Sequence, residues 1–166
     1  MKILLAIDGS EHSARTVDAL GSHPWPSGST VRVLSVVDQV VTATPEVAIF
    51  SAETIEAERQ QFTQVADELT TRFANWLCSS GLTAEKQVRT GDPTAVILDE
   101  AKEWGADLIV VGSHGRTGIK RWLLGSVAQS IVNQAPCSVY VVRERSQEAE
   151  TTKTTAAEQS ARQVSA

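Results

Sequence analysis

The chain has 166 residues, 42% of them apolar, with 20 acidic and 15 basic side chains and a formal charge of -5. That length suits one compact domain, and the acid excess disfavours broad electrostatic binding to nucleic acid. No apolar run approaches the roughly 20 residues of a bilayer span, and Cys78 and Cys137 make no disulfide framework, so a soluble, cytoplasmic protein with no membrane partner is expected.

Lys2–Asp8 (KILLAID) is a continuous apolar run closed by a carboxylate. It is too short for a signal h-region and reads as a strand buried on both faces of a parallel sheet. Ser10 offers a helix N-cap, Ala14, Val17, Ala19 and Leu20 an apolar face, and Gly21 a stop. Residues 22–29 are turn-rich, and the β-branched run Thr30–Val37 predicts a second strand. Residues 38–50 look irregular. From about Ser51 to Ser80, Ile55, Phe62, Val65, Ala66, Leu69, Phe73, Trp76 and Leu77 recur at three- and four-residue intervals. They predict one long helix whose stripe is core packing, with Gly81 as its stop.

Thr83–Arg89 (TAEKQVR) is a polar, weaker strand suited to a sheet edge. Asp92-Pro93 starts a helix, a capping carboxylate followed by proline at the first helical position. That helix carries Val96, Ile97, Leu98, Ala101 and Trp104, and Gly105 ends it. Asp107–Val111 is another buried strand, ended by Gly112. After a loop of glycines and cations, Gly125-Ser126 opens a helix with Val127, Ile131 and Val132. Pro136 ends that helix, and Ser138–Val142 is the last strand. Strands alternating with helices predict an α/β fold, a parallel sheet covered by helices on both faces. Ser146–Ala166, rich in Thr, Gln, Glu and Ala, reads as a mobile or loosely attached tail, which leaves 1–145 as the domain.

Ligands of open parallel sheets bind beyond the carboxyl ends of the strands, where strand order reverses. Two strand ends carry unusual chemistry: Asp8-Gly9-Ser10, and Gly112-Ser113-His114-Gly115-Arg116-Thr117-Gly118. Glycine lets backbone N–H groups approach a ligand closely and take positive φ, and successive free N–H groups make an anion nest. Gly125-Ser126 at a helix start adds further amides, a hydroxyl and the positive end of the helix dipole. Arg116, Lys120 and Arg121 add cations in a chain that is otherwise acidic. This points to a phosphate site, although a tight connection with surface cations would look the same. No Walker A string and no G-x-G-x-x-G occurs. The pattern is Gly112, Gly115, nine residues, Gly125, Ser126.

That spacing resembles the ATP-binding signature of the universal stress protein family. The likeness spans Met1–Arg143 and includes the strand ending in Asp-x-Ser, the long second helix, and T-G-D-P before the third. It implies an adenine nucleotide alpha hydrolase-like, three-layer open sandwich with a five-stranded parallel sheet of order 3-2-1-4-5. It also implies a homodimer through the last strand, Ser138–Val142. Carried over, Asp8 would bond the ribose hydroxyls. Val36, in Leu34-Ser35-Val36-Val37-Asp38, would contact adenine through backbone, and Ala6 and Val111 would line the adenine and ribose pocket. Gly112 and Gly115, then Gly125, Ser126 and Val127, would hold phosphates by backbone N–H, with the Ser126 hydroxyl adding a bond. Arg116 is the best placed cation.

The cofactor implied is ATP or another adenine nucleotide, with Mg2+ or Mn2+ reaching the protein through the phosphates. The reading is a nucleotide-binding stress or signalling module with an unidentified protein partner. Two alternatives stay open: a slow ATPase or nucleotidyl- or phosphoryl-transfer enzyme helped by His114 or Lys120, and a nucleotide-independent dimeric interaction protein. His114 is otherwise a solvated loop histidine. Cys78 is a small core residue, Cys137 an inert thiol, and Trp25, Trp76 and Trp104 are packing residues. Trp122 either packs or covers the loop.

Overall fold

The computed structural model describes residues 1–38, 52–115 and 124–143, with side chains of the second helix from Glu56 onward. The irregular segment expected at 38–50 therefore falls almost wholly outside the described residues. So do Arg116, Lys120, Arg121, Trp122 and the tail.

The elements run β1 (Lys2–Ile7), α1 (Glu11–Gly21), β2 (Thr30–Val37), α2 (Ala52–Ser79), β3 (Thr83–Thr90), α3 (Pro93–Trp104), β4 (Leu108–Gly112), α4 (Ser126–Gln134) and β5 (Ser138–Val142). All four strand pairings are parallel, in the order β3-β2-β1-β4-β5. The order reverses between β1 and β4, whose pairing runs from Ile3↔Leu108 to Ala6↔Val111. A crevice above such a reversal is where open parallel sheets in general bind ligands.

Strand alternation sorts the core into two layers. Ile3, Leu5, Ile7, Val31, Val33 and Val110 face α1 and α2, meeting Val17, Leu20, Phe73 and Leu77. Leu4, Leu34, Val36, Ile109 and Val111 face α3 and α4, meeting Ile97, Ala101, Ala128 and Ile131. Each fully buried Leu or Ile removes enough apolar surface from water to contribute about 1.5–3 kcal/mol, which is why the central strands read as unbroken apolar runs.

Local signals set the helix ends. Ser10 and Asp92 cap α1 and α3 by accepting from the Ser13 and Ala95 amides. Gly105 closes α3 in the left-handed region at φ 68°. Gly21 behaves differently from the expected stop. It is the last residue of α1, the cap is Ser22 at φ -87°, and a Cβ on Gly21 would lie 2.3 Å from the Trp76 ring. The glycine is there for close packing of α1 on α2.

The α2 stripe is only partly core. Ala66, Phe73 and Leu77 are buried, but Phe62 is 40%, Val65 57% and Trp76 38% exposed. Length explains Phe62. The 28 residues of α2 extend about 42 Å, against about 26 Å for the longest strands beneath it, so about its first eleven residues, as far as Phe62, overshoot the sheet.

The polar β3 is an edge strand, as expected. It is tied down by ion pairs, Arg32 with Glu85 at 2.7 Å, Lys86 with Asp67 at 2.6 Å, and Arg89 with the buried Glu100 at 3.0 Å. Trp104 packs under the Arg32 guanidinium, 4.3 Å away, and Trp25 donates its indole N–H to Leu20 O at 2.8 Å. Cys78 is exposed rather than core, its Sγ donating to Ala84 O of the edge strand β3 at 3.8 Å.

Candidate functional site

The end of β1 is built around Asp8. Its Oδ1 accepts from Ser10 N–H at 3.1 Å, from Ser10 Oγ at 2.7 Å and from Ser13 Oγ at 2.7 Å. Ser13 Oγ in turn accepts from Asp8 N–H at 3.0 Å. Three donors on one oxygen fix the carboxylate, and its other oxygen lies against the β4 loop: a Cβ on Gly115 would sit 2.8 Å from Asp8 Oδ2. Asp8 thus both organises the start of α1 and faces the glycine loop across the crevice.

The β4 loop is pinned at two points. Ser113 N–H donates to Val142 O at 2.9 Å, and Gly125 N–H donates to Ser113 O at 2.8 Å. The second bond draws the start of α4 onto the loop. It also engages the Gly125 amide within the protein, so the amides of the helix start that lack an intrahelical acceptor are those of Ser126, Val127 and Ala128. Gly112, Gly115 and Gly125 all lack a positive φ. Close approach decides Gly112, where a Cβ would lie 3.2 Å from Thr16 Oγ1, whereas on Gly125 a Cβ would meet Ser113 O at an ordinary 3.4 Å.

Between these pieces lies a cavity of about 410 Å³, within the range of small-molecule sites. Its polar wall is made by Asp8, Ser13, Gly112, Gly115, Gly125 and Ser126, with Val127 behind them. Its other end is apolar, lined by Ala6, Leu34, Val36, Val111, Pro93 and Ile97. One end therefore suits an anion and the other a flat apolar group. The structure brings together nine residues singled out from sequence, namely Ala6, Asp8, Val36, Val111, Gly112, Gly115, Gly125, Ser126 and Val127, while Arg116 lies outside the described residues.

Other lining residues were not legible in advance. Ser13 sits one turn from the cap, and Pro93 and Ile97 arrive only because α3 packs over β2. Asp38 closes β2 and was visible merely as the residue after a strand. His114 is not a solvated loop side chain. Its Nδ1 is 3.0 Å from Ser113 Oγ, its Nε2 is buried without a hydrogen-bond partner, and its ring lies 5.8 Å from that of His12. The pinned loop folds it inward against α1. Among the described residues no group of three or more His, Cys, Asp or Glu could hold a metal ion, and no helix is long and apolar enough to cross a membrane.

Comparison with known proteins gives a consistent result. The family model described as "Universal stress protein family" matches residues 1–143. The universal stress protein YxiE of Bacillus subtilis is 31% identical over 145 residues, covering 86% of this chain and 98% of the relative. Among solved structures, the hypothetical protein MJ0577 superposes with a TM-score of 0.77 at 25% identity, covering 88% of this chain and 97% of that one. A family protein from Arabidopsis thaliana with AMP bound superposes at 0.65 and 23%, covering 89% and 94%.

Proposed function

The chain belongs to the universal stress protein family, and from that membership we propose that it is a regulatory module which holds an adenine nucleotide, ATP first, in the cavity between β1 and β4. The base lies at the apolar end and the polyphosphate against the glycine loop and the start of α4. Asp8 meets the ribose, because a carboxylate accepts from hydroxyls and repels phosphate. The phosphates take the Gly112–Gly115 backbone and the Ser126 and Val127 amides, where free N–H groups and the positive helix end converge, and the Ser126 hydroxyl adds a donor. A Mg2+ or Mn2+ ion in this reading arrives on the phosphates.

The observation that carries the reading is the fit of Gly115 against Asp8. The two strand ends approach so closely that a Cβ would lie 2.8 Å from the carboxylate oxygen, which leaves backbone rather than side chain facing the crevice. The shared fold with a family protein that holds AMP supports an adenine nucleotide as the ligand. Titration calorimetry of ATP into nucleotide-stripped protein tests it. ATP should bind the native chain, and Gly115→Val and Asp8→Ala should each weaken it about tenfold or more. Unchanged affinity in both variants, each checked for native circular dichroism, overturns the proposal.

A further inference from the structure

The apolar end of the cavity holds one polar side chain among its described lining residues. Ala6, Leu34, Val36, Val111, Pro93 and Ile97 offer only hydrocarbon, and Asp38, the residue after β2, lines the same space. A carboxylate beside an otherwise apolar slot costs desolvation unless it is hydrogen-bonded. It is therefore a choice about which ligand edge the slot accepts.

A second acceptor stands near it. β2 and β3 pair as far as Val37↔Thr90, whereas β1 and β2 stop at Ile7↔Ser35. Gly91 N–H donates to Val37 O at 3.0 Å, so the Val37 carbonyl points to the β3 side. Successive peptide groups of a strand point to opposite edges. The Val36 carbonyl is thus directed to the β1 side, just past the last β1 pair, where the cavity begins. A backbone carbonyl and a carboxylate, two residues apart, bring acceptors and no side-chain donor to the base end.

We propose that Asp38 is a specificity-determining residue of this cavity: its carboxylate accepts an N–H from the exocyclic amine of adenine and excludes purines that carry an oxygen at that position. The inference rests on the nucleotide reading above and adds to it the residue that selects the base. An adenine amine has two N–H groups, one for Val36 O and one for Asp38. A 6-oxo purine would set an acceptor against both and leave buried polar groups unpaired, which discriminates strongly. Asp38 has another interaction of its own; a carboxylate has about four lone-pair positions, so the ligand bond adds to it.

The test is competition binding of ATP, ITP, GTP and the triphosphate of purine riboside, which lacks the amine, on native protein, Asp38→Ala and Asp38→Asn. Native protein should prefer ATP to ITP and to the amine-free analogue by about tenfold or more. Asp38→Ala should shrink the preference for ATP over the analogue about threefold or more, the remainder being the amine bond to the Val36 carbonyl. Asp38→Asn, whose amide can donate to the 6-oxo group, should move the ATP:ITP ratio towards ITP. Its near-identical shape guards against a folding artefact, checked by thermal melting. An unchanged ATP:ITP ratio with overall weakening would make Asp38 structural and overturn the inference while leaving the nucleotide reading intact. GTP tighter than ATP would overturn it too, since the acceptors would then hold the guanine N1–H and amine. Failure of every nucleotide to bind native protein would remove both.

Discussion

Asp8 shows how one side chain serves two levels of structure. Its Oδ1 closes a ring of bonds with Ser10 and Ser13 that starts α1, and Oδ2 reaches the glycine loop that starts after β4. Cys137 is governed by its surroundings in another way. Burial first, and the Asp107 carboxylate second, push its thiol above the usual range, against a smaller lowering by a backbone bond from Ile109. A raised pKa leaves less thiolate at any given pH, and the thiolate is the nucleophile. Alkylation of Cys137 by iodoacetamide should therefore be slower than that of glutathione near pH 7.5. Its rate should still climb above about pH 9, where an ordinary thiol with its midpoint near 8.5 is levelling off. Mass analysis of the labelled peptide across pH reads this, and a plateau matching glutathione would contradict it. Gly112 and Gly115 were legible from spacing because close backbone approach excludes a side chain. Asp38 and His114 were not, because nothing in their neighbours says which side of the chain they take.

At the scale of elements, caps are legible since they are local. Ser10, Asp92 with Pro93, and Gly105 act at the positions the sequence assigns to them. Gly21 is the exception, and its reason is a ring from another helix. The stripe on α2 carries the same lesson. Periodicity gives the face of a helix and says nothing about how far the sheet beneath it extends. Leu77, fully buried, should cost about 2–5 kcal/mol when cut to alanine, the sum of lost transfer energy and residual cavity. Val65, 57% exposed, should change stability by no more than about 0.5 kcal/mol on the same substitution. Urea unfolding of the two variants separates a half-buried stripe from a wholly buried one, because equal losses would restore core packing along its whole length.

For the whole molecule, the two sheet edges differ in kind. β3 is polar and held by ion pairs across to β2, α2 and α3. β5 is short and apolar, with Tyr140 40% exposed, and a bare edge of that kind invites pairing. The Val142 carbonyl accepts from Ser113 on the β4 side, so alternation turns the Val141 N–H outward. We propose a dimer paired along this edge. The native protein should sediment as a dimer at about 10 µM, a concentration well above a sub-micromolar Kd. Val141→Pro, which removes an outward donor without touching the β4 ladder, should sediment as a monomer with its circular dichroism unchanged. A native monomer at that concentration, or a proline variant that stays dimeric, excludes edge pairing.

Spacing alone determined the alternation of strands and helices, most helix ends and the glycine loop, because each depends on the few residues around it. The strand order entered the sequence reading through a family likeness, since periodicity gives strands without neighbours. Tertiary structure decided the rest: that Asp8 and Gly115 come within contact of each other, that Gly21 makes room for Trp76, and that Asp38 lines the same cavity as Asp8 and Gly115. These are meetings of segments far apart in the chain, and which of them occur is set by how two apolar layers close over one twisted sheet.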